Sequence, residues 1–88
     1  MSDEASVVLA TDRFADDLDE LTARHGFRIE SIFPADAPTT AVVSGHGVRL
    51  RLEASAAAAS SPVRIRVVRD GPAATYRLPG GTVIDECP

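Results

Sequence analysis

Four arginines stand at alternate positions in two short runs, Val48-Arg49-Leu50-Arg51-Leu52-Glu53 and Val63-Arg64-Ile65-Arg66-Val67. Alternation with period two marks a half-buried strand, so Val48, Leu50 and Leu52 face a core while Arg49, Arg51 and Glu53 face away. Likewise Val63 and Ile65 pack inward and Arg64 and Arg66 point out. A guanidinium grips a carboxylate or phosphate through two parallel N–H bonds, so such a face is suited to an anionic ligand, with Tyr76 as a lid or stacking group. The plainer alternative is a solvated sheet face whose charges pair across strands, each pair contributing about 0.2–1 kcal/mol.

The remaining candidates carry less chemistry. His46 lies in the glycine-rich turn Ser44-Gly45-His46-Gly47 and His25 at a helix end, and neither has an orienting partner nearby in sequence. Turn and cap roles are expected of them. Gly45 and Gly47 are hairpin residues, because no helix start follows them to cradle a phosphate. Asp85 and Glu86 are adjacent, so in a strand they face opposite sides and cannot act as a carboxylate pair. Cys87 has no neighbouring base or cation pattern that would make it a nucleophile. No Ser/His/Asp signature, Cys cluster or dinucleotide glycine pattern is present.

The elements that must position these residues begin at Val7-Val8-Leu9, a short apolar run read as a buried strand, after a polar start at Met1–Ala5. Thr11 or Asp12 is expected to cap the next helix, with Asp16 and Asp17 near its positive end. Phe14, Leu18 and Leu21 form its apolar stripe, and Asp16, Asp17, Asp19 and Glu20 a solvated face. Arg24 and His25 complement its negative end, and Gly26 stops it. Phe27–Glu30 alternates as a half-buried second strand matched to the helix stripe, and Pro34 ends it. Residues 35–38 are a loop. Thr40–Val43 is a third strand and 48–53 a fourth. The stretch 54–62, ASAAAASSP, reads as a flexible connector. Then follow a strand at 63–67, a turn at Asp70-Gly71-Pro72, an extended piece at Tyr76–Leu78, and a last strand at Thr82–Glu86 with Ile84 inward and Val83 and Asp85 outward.

Eighty-eight residues suffice for one small core, and with Phe14, Phe27, Phe33 and Tyr76 as the only aromatics that core must be aliphatic. The net charge of −4 argues against nonspecific nucleic-acid binding. All nine cations are arginine, for which genomic base composition is the plain explanation. A lone cysteine rules out an internal disulfide and suits a reducing compartment. With no apolar run beyond a few residues, neither a membrane span nor a signal peptide is expected, and the chain reads as cytoplasmic.

The order strand, helix, Gly-Phe-Arg corner and three strands with a glycine hairpin is βαβββ. Residues 11–29, TDRFADDLDELTARHGFRI, resemble the opening of the vicinal oxygen chelate superfamily, which includes glyoxalase-like and bleomycin-resistance proteins. The family's "LGF" corner is here His25-Gly26-Phe27, and Leu78–Glu86, LPGGTVIDE, is similar to its closing "DPxGNxIEL" hairpin. The chain also resembles the amino-terminal part of bacterial proteins that join such a module to a cupin domain. Two departures stand out. Family members carry two modules, and this chain has one plus two closing strands, without a second helix. The usual first metal-ligand position falls near Ala5, which cannot bind metal, and the closing Glu falls on Asp85.

The expected fold class is therefore α+β: a βαβββ-type module with one main helix packed on a mostly antiparallel sheet. Residues 1–88 are expected to form one glyoxalase/bleomycin-resistance-like domain, with core module 6–53, connector 54–62 and closing strands 63–87. The resemblance implies that the outward sheet face is concave and holds the ligand. It points to a metal-free small-molecule binding, accessory or dimerisation module with no cofactor, binding an anionic ligand through Arg49, Arg51, Arg64, Arg66 and Tyr76. The unpartnered sheet edge implies a homodimer, or docking onto another protein domain. The competing expectation is a metal-dependent lyase or dioxygenase-type enzyme, its divalent metal held by Glu53, Asp85 and His46 across a homodimer.

Overall fold

The computed structural model describes residues 5–34, 36–56 and 63–88. Its elements follow in the order β1 (Val7–Thr11), α1 (Phe14–Ala23), β2 (Arg28–Phe33), β3 (Thr40–Gly45), β4 (Val48–Ala54), β5 (Arg64–Val68), β6 (Ala74–Arg77) and β7 (Val83–Cys87). The fold is α+β. The strands divide into two sheets, β1-β4-β3-β2 and β5-β7-β6.

The two sheets share a pattern. In the first, β1 runs parallel to β4, which is antiparallel to β3. In the second, β5 runs parallel to β7, which is antiparallel to β6. The second group is thus a reduced copy of the βαβββ module, without counterparts of α1 and β2. Its β5–β6 connection occupies only residues 69–73, too few for a crossover helix.

One helix consequently serves both sheets. Leu18 and Leu21 of α1 are buried with Leu9, Ala41, Val43, Leu50 and Leu52 of the first sheet and Val67 and Ile84 of the second, in one continuous cluster. Phe14 packs against it, which completes the expected stripe. Leu21 is fully enclosed. Its replacement by alanine is expected to cost about 2–5 kcal/mol, read as a lower urea midpoint with an unchanged slope.

The helix ends differ from expectation. Arg13, not Thr11 or Asp12, occupies the N-cap position and makes no side-chain cap bond. Thr11 is the buried last residue of β1, and its hydroxyl accepts the backbone N–H of Arg13, at 2.9 Å. At the other end Arg24 pairs with Glu20 at 3.1 Å, whereas His25 turns inward. Gly26 takes φ +77°, the left-handed conformation that ends the helix, as its position predicts. Asp17 was expected on a solvated face but is buried, because its Oδ1 accepts the N–H of Gly80 at 2.7 Å.

β2 also departs from the half-buried strand expected at Phe27–Glu30. Phe27 is buried, but all of β2 is exposed, as the sheet edge farthest from β1. A bulge at Glu30 shifts its register against β3. The β3–β4 hairpin closes through His46 and Gly47 at φ 53° and 80°, the paired positive values of a two-residue turn matched to strand twist. In the stretch read as a connector, Ala54 extends β4 and the N–H of Ser55 donates to the Thr11 carbonyl at 2.8 Å, while residues 57–62 lie outside the described residues. Among the described residues no helix is long and apolar enough to cross a membrane.

Candidate ligand-binding faces

Strand register decides which side chains share a surface. Across the first sheet, Arg28, Ser44 and Arg49 are lateral partners on the face turned from α1, as are Val42 and Arg51 one step along. The Arg49 guanidinium pairs with Glu30 at 3.0 Å. The Ser44 hydroxyl bond holds the Glu30 carboxyl below the usual carboxylate range, with burial opposing and Arg49 and Arg28 adding to the lowering. Arg51 bonds Glu53 at 2.8 Å and lies over the Phe33 ring, 5.5 Å from its centroid. A shallow groove of about 570 Å³ runs along this end of the sheet, bordered by Arg28, Ser44, His46 and Arg49.

On the second sheet Arg64, Arg66, Thr75 and Asp85 share the outer face. Asp85 binds Arg64 at 3.0 Å and accepts the Thr75 hydroxyl at 2.9 Å. Arg64, Arg66 and Cys87 border a second open groove of about 640 Å³. The Cys87 thiol points to the Val67 carbonyl at 3.8 Å.

Both arginine faces turn away from a core that the inner residues of the two sheets share. Arg49 borders the groove on the first sheet, and Arg64 and Arg66 the groove on the second. Tyr76 stands apart from all four. It pairs laterally with Ile84 on the inner side of the second sheet, edge-on to His25 with ring centroids 5.0 Å apart.

The histidines have partners that sequence proximity did not show. His25 Nδ1 lies 2.8 Å from Glu86 Oε2, a residue 61 positions away, and Arg69 approaches the same oxygen at 3.6 Å. His46 Nε2 meets the His25 carbonyl at 2.7 Å. A carbonyl only accepts, so that nitrogen carries the proton. The only advance sign of the His25–Glu86 contact was parity, which placed Glu86 opposite Asp85.

The candidate metal ligands are dispersed: Glu53 is paired with Arg51 on the first sheet, Asp85 lies on the second, and His46 is in the β3–β4 turn. Among the described residues no group of three or more His, Cys, Asp or Glu is placed to hold a metal ion.

No family model matches the sequence, and no curated protein matches it either. The structure is similar to the crystal structure of TioX from Micromonospora sp. ML1, with a TM-score of 0.67 over 94% of this chain and 97% of that one, at 16% identity. The chain has the glyoxalase/bleomycin-resistance-like fold. Within that fold, β1–β4 with α1 make one complete βαβββ module and β5–β7 a partial one. At this identity the likeness extends to the fold alone, so the roles of the side chains rest on their own geometry.

Proposed function

We propose that this chain is a metal-free binding module for a small anionic molecule, acting as a homodimer. The observation that carries the reading is that its two arginine faces turn away from a shared core. Each is a single wall. A second copy would set the first sheet of one chain beside the second sheet of the other, enclosing a pocket with Arg49 and Arg51 on one wall and Arg64 and Arg66 on the other. The exposure of Val8 on edge strand β1 (51%) and of Val68 on edge strand β5 (69%) supports such a join, since both are apolar and each flanks an arginine face. Anion recognition follows from the guanidiniums; Asp85 orients Arg64, and Arg66 forms no ion pair among the described residues.

Light scattering with reductant present is expected to give the dimer mass. Mixing then tests the pocket. Chains carrying Arg49→Ala with Arg51→Ala, and chains carrying Arg64→Ala with Arg66→Ala, should each bind sulfate weakly. Refolded together, they should regain one full-affinity site per mixed dimer, because one of its two pockets keeps all four arginines. A monomer, or a mixture that binds no better than its components, rejects the shared pocket.

A further inference from the structure

The outer face of the first sheet holds a donor set built for an acid group and already engaged by one. Arg28, Ser44 and Arg49 lie side by side across β2, β3 and β4, and the three border the same groove. This combines two guanidiniums with a hydroxyl between them, all able to donate to one anion. Glu30 reaches the set from the neighbouring position on β2. Its carboxylate contacts Arg49 through Oε1 at 3.0 Å and Oε2 at 3.4 Å.

Glu30 is placed to leave. It is the bulged residue of an edge strand whose every residue is exposed, so its side chain can swing out without opening a core or breaking the ladder. Its pair with Arg49 is about one-third exposed on both sides, the class of ion pair that contributes about 0–1 kcal/mol.

We infer that Glu30 is an internal stand-in for the ligand: the Arg28–Ser44–Arg49 row is the subsite for a carboxylate or phosphate group, and an incoming anion displaces Glu30 from it. The inference deepens the reading of the arginine faces as ligand walls and rests on it. It assigns Arg28 and Ser44 to the site beside Arg49, and it makes Glu30 a competitor that lowers affinity and selects for anions strong enough to replace it. Arg51, held by Glu53 and Phe33, flanks the subsite on β4.

Sulfate is a suitable probe, being a tetrahedral anion whose charge is constant near neutral pH. Titration at fixed ionic strength, followed by amide and arginine side-chain NMR shifts, is expected to show Glu30→Gln binding sulfate roughly twofold to fivefold more tightly than the parent, the gain from removing one weak competing pair. The shifts should centre on Arg28, Ser44 and Arg49. Adding Arg28→Ala to Glu30→Gln should cancel the gain. Glu20→Gln, which removes the same formal charge from α1, should leave affinity unchanged.

Equal affinity in Glu30→Gln and parent overturns the inference, as does an equal gain in Glu20→Gln, or a gain whose shifts centre on Arg64 and Arg66. The mixing experiment keeps Glu30 intact throughout. Failure of the stand-in is therefore seen separately from failure of the shared pocket.

Discussion

Gly80→Ala is expected to lower the thermal midpoint by roughly 10–20 °C, from a loss of about 2–3 kcal/mol in a chain of this length. A Cβ built at Gly80 would fall on the Thr11 hydroxyl and on the Asp17 carboxylate. Neither can withdraw. Thr11 is buried at the end of β1, and Asp17 is buried in the first turns of α1 with its Oδ1 on the Gly80 N–H. Alanine must therefore push the 78–82 turn off the helix, leaving the Asp17 carboxylate enclosed without its donor, which costs the desolvation of a charged group. Asp17→Ala removes the acceptor instead and should cost about 1–3 kcal/mol. Asp17→Asn keeps an oxygen acceptor and should fall between it and the parent. A midpoint for Gly80→Ala within about 3 °C of the parent, under 1 kcal/mol, would show that the turn gives way freely.

His25→Ala is expected to be comparably damaging, at about 2–4 kcal/mol. The ring is 1% exposed and touches two elements of the second sheet, Glu86 on β7 through Nδ1 and Tyr76 on β6 edge-on. Truncation opens a cavity beneath Tyr76 and, among the described residues, leaves the Glu86 carboxylate with Arg69 alone, at 3.6 Å. Part of the ring's contribution is already offset, since its Nε2 is buried with no hydrogen-bond partner among the described residues. A double-mutant cycle between His25→Ala and Glu86→Gln by urea denaturation should return a coupling of about 1–3 kcal/mol. Strict additivity would show that the pair contributes nothing beyond its packing.

These two sites also mark where sequence reading succeeds and where it stops. The helix was legible because every signal in it is local: Phe14, Leu18 and Leu21 repeat at helical spacing, and Gly26 ends the run. Strand parity was legible for the same reason, and it correctly divides Leu50 and Leu52 from Arg49 and Arg51, and Ile84 from Asp85. What was hidden depends on partners distant in the chain. Asp17 looks like a surface acid among other acids until the 78–82 turn, 63 residues on, lands against it. His25 looks like a helix-end charge until β7 supplies Glu86. The exposure of β2 could not be read from its residues, because Phe27 and Ile29 alternate as a half-buried strand would, and only the strand order shows that β2 is a sheet edge. For the arginine faces, parity gave the side on which each side chain stands, but the structure was needed to show that the four are divided between two sheets.

A single helix shared by two sheets has a consequence for how the molecule breathes. The 78–82 turn is fastened near the start of α1 through Asp17, and β7 just past its end through His25. Neither sheet has another helix among the described residues to cover its inner side. Lifting α1 from one sheet thus strips the other, so the slowest amides of β4 and β7 should exchange with solvent through the same opening event, as one cooperative unit and not two.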